Sequence, residues 1–343
     1  MEDFKILKEL IKFNTIKDRE NKEIIDYIEK ILLQKGLKTE YKGKYLIIST
    51  NQPAKLGFLG HTDTVEYIEG WKTNPFELTQ KENKLYGLGT ADMKGGIAAM
   101  MDAVIETDLS TLKHGIKLYF TYDEEISFGG IYDIVKTDEK FPEFMLFGEP
   151  TDNEILVGSK GLFQPDITFV GVKTHSSTPE KGKSANLNAV KFIYELEKFY
   201  NKEIKKELNN SYEVPYTTMN VGLINGGSAK NSIPANCKIS IDFRTIKSEH
   251  SKLLKEKMNE LSYKYDCTIN IFEEIQPFYN ELEFVNENKT ANFLTEASLV
   301  NQSKRIILGA GPVTAHEVDE HITVESYKKL VEQYKEIIKK VCT

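Results

Sequence analysis

Cysteine is scarce in this chain. Cys237, Cys267 and Cys342 stand far apart, and no Cys-x-x-Cys pair occurs. That argues against a disulfide framework and against a thiolate metal site, and it fits a reducing compartment. Long apolar runs are missing too. No segment approaches the ~20 apolar residues that a membrane-spanning helix requires. The opening MEDFKILKELIKF is amphipathic and charged, without the apolar stretch and small-residue cleavage site of a secretory signal. A cytoplasmic protein with no membrane partner is expected. A dense Lys/Arg block is absent as well. With a net charge of −7 and scattered basic residues, the chain is a poor nucleic-acid binder. It shows no internal repeat and no low-complexity segment.

What is present suits a globular enzyme-sized protein. At roughly 100–200 residues per domain, 343 residues predict two domains. Residues 1–35 read as two helices, with Phe4, Leu7, Leu10 and Ile11 on one face of the first. On the second, Ile24, Ile25, Ile28, Ile31 and Leu32 share a face, and Gly36 suits its C-terminal cap. Short strands are predicted at 37–41, 45–49, 56–59, 116–121 and 144–147. A small-residue helix follows Gly95-Gly96. Apolar strands that end in polar residues, with helices after them, predict an α/β fold with its site outside the strands' carboxyl ends.

From residue 163 to 276 the pattern changes. Alternating strands at 166–172, 217–224 and 238–243 mix with helical stretches at 186–203 and 248–263, and 205–215 reads as a linker. This predicts an inserted α+β unit with an antiparallel sheet. Residues 1–162 and 277–343 then form one discontinuous α/β domain. Its last part holds a helix at 292–300, a strand at 305–308, the Gly309–Pro312 loop and a helix at 324–341.

The polar strand ends carry the chemistry. His61, Asp63, Asp92, Glu124, Glu125 and Glu149 follow predicted strands or open helices, and His316 comes later. Imidazole and carboxylate donors without thiolates are what a two-metal hydrolytic site uses, with one carboxylate between the ions and a spare one as base. They favour Zn²⁺, with Co²⁺ or Mn²⁺ as substitutes. Each residue also has a plainer reading. His61 is then a hydrogen-bonded strand-end residue, Asp92 a helix N-cap, Glu124-Glu125 a solvated acidic turn, Glu149 a loop carboxylate and His316 a loop cap. Asp63, two residues after His61, suits the group that fixes an imidazole tautomer. His114, His250 and His321 take the plain reading, and Trp71 and Pro75 read as packing residues.

Seven blocks in order, HTDTV, GLGTADMKGG, TYDEEISFGG, GEPT, THSSTP, NSIPANCKISIDFRT and AHEVDE, resemble the M20 metallopeptidase family over nearly the whole chain. The resemblance implies an α/β zinc-hydrolase domain and an inserted lid that mediates homodimerisation. It implies two Zn²⁺ ions bridged by Asp92, one also held by His61 and Glu149, the other by Glu125 and His316. Asp63 would orient His61, Glu124 would be the general base, and the Asp92–Met93 peptide would be cis. In the insertion, His175 resembles the histidine that stabilises the oxyanion, often across a dimer, and Arg244 the arginine that grips the product's α-carboxylate. Asn231 and the loop of Gly309 and Gly311 resemble further substrate contacts. The plainer readings are a turn residue for His175 and a strand-edge ion pair for Arg244.

Within the family, GEPT and THSSTPEKGKSANLNAV look most like the acetylornithine deacetylase branch. Two positions depart from the pattern near the substrate region. Glu66 stands where proline commonly follows HTDxV, and Ser159 where a histidine often precedes Lys160-Gly161. The implied reaction is removal of an acyl group from an Nα-acyl amino acid, N-acetylornithine first. Desuccinylation of succinyl-diaminopimelate and dipeptide cleavage are the alternatives within the same chemistry. The alternative of another class is an inactive relative that binds a small molecule.

Overall fold

Ala54–His61 is the strand on which the larger unit is built. Its last six residues are buried, as expected of a strand covered on both faces. It pairs in parallel with Gly115–Thr121 on one side and Phe144–Phe147 on the other, with His61 opposite Thr121 and Leu59 opposite Phe147. The computed structural model describes residues 4–16, 21–285, 288–301 and 303–343, and Met1–Asp3 of the first predicted helix lie outside them.

The chain divides into two units. One comprises Met1–Val157, Asn280–Lys289 and Thr295–Thr343, the other Gly158–Tyr279 and Thr290–Leu294. In the first, the sheet runs Lys38–Lys42, Leu46–Ser49, Gly115–Thr121, Ala54–His61, Phe144–Phe147, Lys304–Ile307. The four strands from Gly115–Thr121 to Lys304–Ile307 are mutually parallel, and the pair at the Lys38–Lys42 edge is antiparallel. Parallel strands send their carboxyl ends the same way, so the residues after His61, Thr121 and Phe147 gather at one edge.

Helices cover this sheet. In Lys5–Lys12, Ile6, Leu7, Leu10 and Ile11 are buried, and in Lys22–Gln34, Ile24, Ile25, Ile28 and Leu32. Gly36, at φ +92°, sits just past the second helix, where only glycine is unstrained. Lys94–Glu106 is buried almost throughout and packs on Lys5–Lys12 and Val324–Cys342. Its small residues explain the fit, because a Cβ on Gly96 would overlap the carbonyl of Gly148, and one on Gly95 that of Thr90. A small antiparallel sheet, His321–Thr323, Lys84–Tyr86 and Thr79–Lys81, completes the unit.

The second unit is a four-stranded antiparallel sheet in the order Thr218–Gly226, Asn236–Thr245, Gly161–Val170, Cys267–Ile275. Helices Ala185–Phe199 and Ser248–Tyr265 cover one face. Its core, with Phe163, Phe169, Phe192, Phe243, Leu254 and Met258, is separate from that of the first unit.

Two predicted elements differ. The stretch 292–300 is no continuous helix: a strand Lys289–Ala291 precedes a short 3-10 turn, Glu296–Leu299. The chain passes from one unit to the other between Leu294 and Thr295, and Thr295 starts the turn anew by accepting the Ala297 N–H at 3.1 Å. The linker 205–215 is anchored. Asn209 N–H donates to the Pro215 carbonyl at 2.7 Å, and Tyr212 is buried. Among the described residues no helix is long and apolar enough to cross a membrane.

Candidate metal centre

His61 is fully buried at the end of its strand. Its Nδ1 lies 3.1 Å from the Asp63 carbonyl oxygen and 3.5 Å from Asp63 Oδ1. A proton on Nδ1 donates there and leaves the Nε2 lone pair free to bind a cation. Nε2 faces Asp92 Oδ1 at 3.1 Å and Glu124 Oε2 and Glu149 Oε2 at 3.9 Å each. Asp63 has a second task. Its two oxygens accept the N–H groups of Glu124 at 3.3 Å and Glu125 at 3.2 Å, which fixes the start of the Glu124–Ser127 turn. Burial works to raise the Asp63 carboxyl, but His61 and these N–H groups outweigh it, so the group is held below the usual carboxylate range.

Asp92 precedes helix Lys94–Glu106 without capping it; Met93 is the cap residue, and it makes no side-chain cap bond. The two Asp92 oxygens face opposite partners. Oδ1 points to His61, and Oδ2 lies 3.4 Å from His316 Nε2. Burial again works against ionisation, and the imidazoles of His316 and His61 outweigh it, holding Asp92 well below the usual range. The Asp92–Met93 peptide is cis. His316 Nε2 also meets Glu125 Oε2 at 3.1 Å, and hydrogen bonds to Asp92 and Glu125 push its pKa up to about 10. Glu124 and Glu149 are driven opposite to Asp92. Burial raises both carboxyls; the His61 contact opposes it at Glu124 without offsetting it, the Asp92 charge adds to it at Glu149, and both end well above the usual value.

Four carboxylates and two imidazoles converging around the buried His61 and Glu149 are a poor arrangement without added positive charge. Three groups of donor atoms lie within 4.8 Å of one another: His61, Asp92, Glu149; Asp92, Glu125, His316; and His61, Glu124, Glu125. The first two share Asp92 and leave Glu124 spare. Donors ~2.0–2.2 Å from a four-coordinate divalent ion stand about 3.3–3.6 Å apart, which the observed 3.1–3.9 Å separations fit. The donor set could hold two cations.

The glycine loop backs this cluster. A Cβ on Gly309 would overlap the Glu149 carbonyl, and one on Gly311 would overlap Asp152. Close packing thus explains their identity, against the Glu149 backbone for Gly309 and against Asp152 for Gly311. His175, Asn231 and Arg244 belong to the second unit. Arg244 donates to Asp242 Oδ1 from Nε at 3.0 Å and to Oδ2 from Nη2 at 3.2 Å, the strand ion pair of its plainer reading. His175 is exposed, with Nδ1 2.7 Å from Ser177 Oγ. Asn231 is exposed, and its main-chain carbonyl accepts the Ser176 N–H at 3.0 Å.

Three buried charged residues escaped the sequence reading. Lys94 Nζ donates to the Phe13 carbonyl at 2.7 Å, and burial pulls its pKa down to about 7. Glu296 accepts the Thr121 hydroxyl at 3.0 Å, and burial pushes it up to about 7. Glu320 accepts backbone N–H groups of the Gly89–Asp92 turn. In a sequence, acidic runs such as VDE read as solvated, and nothing local marks the one that is buried.

Residues 57–340 match the model of peptidase family M20/M25/M40. An acetylornithine deacetylase of Pasteurella multocida is 31% identical over 359 residues, covering 95% of this chain and 93% of that protein. Another, from Yersinia pseudotuberculosis, is 34% identical over 298 residues, covering 80% and 76%. Among solved structures, a Staphylococcus aureus tripeptidase superposes with a TM-score of 0.78 at 20% identity, covering 98% of this chain and 97% of that one. A Bacillus subtilis protein described as a dinuclear metal binding peptidase superposes with a TM-score of 0.73 at 11% identity, covering 98% and 97%. These structures share the fold. The extent of the family match and the identity to the deacetylases together establish that this chain belongs to peptidase family M20/M25/M40.

Proposed function

We propose that the chain is a two-metal amide hydrolase that removes the acyl group of an Nα-acyl amino acid, with N-acetylornithine as substrate. The observation that carries the reading is the division of Asp92, one oxygen towards His61 and the other towards His316. His61, Glu149 and Asp92 would hold one ion, and Glu125, His316 and Asp92 the other. The donor set suits Zn²⁺, and Co²⁺ or Mn²⁺ would also fit. Bound there, the ions would polarise the amide carbonyl and ease ionisation of water towards neutral pH.

The chain's own residues do the rest. Glu124, left spare by both donor groups, takes a proton from the water that attacks the carbonyl carbon. It then delivers that proton to the amine nitrogen as the C–N bond breaks, so acetate and ornithine leave. Asp63 keeps the His61 tautomer and the Glu124–Glu125 turn in place. Arg244 takes the α-carboxylate through its planar fork, exchanging Asp242 for substrate. His175 donates to the oxyanion, and Asn231 and the Gly309–Gly311 loop contribute to the substrate site.

The acyl group and amino acid are assigned from the deacetylases that align along most of the chain. Homodimerisation through the second unit also belongs to the proposal. The edge strand Thr218–Gly226 exposes Leu223 and Ile224, and helix Ala185–Phe199 exposes Leu187, Val190 and Tyr194. Asn186 donates to the Gly226 carbonyl at 3.3 Å, so helix start and strand end are neighbours.

The deciding experiment compares hydrolysis of N-acetylornithine, N-succinyl-diaminopimelate and a dipeptide panel by zinc-loaded protein. N-acetylornithine should have the highest kcat/KM. Preference for the succinyl compound or a dipeptide would move the assignment within the family, and no turnover of any would sink the enzymatic reading.

A further inference from the structure

Glu320 lies four residues after His316 on a loop whose Glu317 is exposed, yet it is only 2% exposed itself. Its carboxylate is spent on one short segment. Oε2 accepts the Gly89 N–H at 2.8 Å, and Oε1 accepts those of Ala91 at 2.7 Å and Asp92 at 3.0 Å. Its main-chain carbonyl accepts a fourth, from Gly87 at 3.2 Å. Four donors of the turn that ends in Asp92 therefore terminate on one residue.

The surroundings extend this link in both directions. Immediately after Glu320, His321–Thr323 pairs antiparallel with Lys84–Tyr86, so the two chains are already in register when they reach the turn. Before it, the Thr314 hydroxyl donates to the His321 carbonyl at 2.7 Å and accepts the His321 N–H at 2.9 Å, closing the loop that carries His316. Segments far apart in sequence, one bearing Asp92 and the other His316, are thus joined through the Glu320 carboxylate.

We propose that Glu320 is a positioning residue for the metal centre, locking the Asp92 turn to the His316 loop so that Asp92 meets both imidazoles. It touches neither substrate nor cation. Without it, the buried N–H groups of Gly89, Ala91 and Asp92 lose their acceptor, and the turn must shift to find others. Asp92 would shift with the turn, and a donor set of this kind tolerates only about 0.5 Å of misplacement.

The proposal rests on the two-cation reading above, so its test measures metal binding directly. Zinc affinity is determined by competition with a chromophoric chelator for the wild type, Glu320→Gln and Glu320→Ala, alongside thermal melting of each metal-free protein. Affinity should fall about 10–100-fold for the alanine variant, as for other groups that orient ligands. The fall should be smaller for glutamine, whose amide oxygen can still accept from Ala91 and Asp92. Excess zinc should restore much of the kcat of Glu320→Gln. A purely structural role would lower the melting temperature and leave zinc affinity unchanged, and that result overturns the proposal. If Glu320→Ala does not fold, Glu320→Gln decides in the same way. A wild type that binds no zinc, cobalt or manganese fails the metal-centre reading itself, and the role of Glu320 falls with it. A wild type that binds two ions, with variants that bind them equally well, overturns only Glu320.

Discussion

Glu124 and Glu125 are neighbours with different surroundings. Glu125 meets His316 at 3.1 Å, whereas Glu124 stands 3.9 Å from His61 with no closer imidazole. With Glu124 outside the two donor groups that share Asp92, the proposed reading takes Glu125 as a ligand and Glu124 as the proton carrier. Replacing Glu124 by glutamine keeps the shape and removes the base. Both metals should remain bound, by metal analysis of the dialysed protein, while kcat falls about 10²–10⁴-fold, the usual worth of a positioned base. Retained activity would reassign the base; loss of one metal would make Glu124 a ligand, as the third donor group allows. Arg244 makes a second residue-scale case. Its fork is already formed and held by Asp242, so the guanidinium is pre-oriented for a carboxylate. Removing a two-pronged charged contact costs about 1.5–3 kcal/mol. Arg244→Ala should therefore raise KM for carboxylate substrates about 10–100-fold with kcat little changed, and an unaltered KM would exclude Arg244 from binding.

At the scale of elements, the strand ends and one helix do the positioning. Helix Lys94–Glu106 approaches the end of strand Phe144–Phe147 so closely that a Cβ on Gly96 would overlap the Gly148 carbonyl, next to Glu149. In Gly96→Ala two effects compete. Alanine favours the helix by up to ~1 kcal/mol, and overpacking against backbone costs about 1–3 kcal/mol or more. Backbone cannot rotate away as a side chain can, so overpacking should win. The variant should melt several degrees lower and bind zinc more weakly, and an unchanged melt would show that the helix can move. The strands and the long helices were legible in the sequence because apolar runs and their polar ends are local signals, whereas the division of the candidate metal donors between two ions came only from the family resemblance. Strand Phe144–Phe147 has the predicted bounds, and helix Val324–Cys342 differs from its prediction by one residue. Residues 292–300 were not legible, because what ends a helix there is the passage between units after Leu294, a tertiary event. Glu296 and Glu320 were hidden for a similar reason: their partners, Thr121 and the Gly89–Asp92 turn, are remote in sequence.

For the whole molecule, the proposed reaction draws on residues of both units and, in the proposed dimer, of two copies. The candidate metal donors all come from the first unit, while His175 and Arg244 come from the second. His175 has an exposed ring anchored at Nδ1 by Ser177, which leaves Nε2 to donate to an oxyanion. In the proposed dimer, each second unit would serve its partner's metal centre. Mixing two inactive variants tests this. Glu124→Gln lacks the base and keeps His175, whereas His175→Ala lacks the histidine and keeps the base. If His175 acts across the dimer, a heterodimer of the two holds one site with both groups intact. Random re-pairing then makes half the dimers mixed, each with one good site of two, so activity should recover to about a quarter of wild type in a symmetric dimer. If His175 acts within its own chain, every site in the mixture lacks one group and activity stays at baseline. Introducing Leu223→Glu and Val190→Glu into both variants should yield monomers by sedimentation and abolish the recovery. Recovery that persists in monomers would refute both the interface and the crossing of His175.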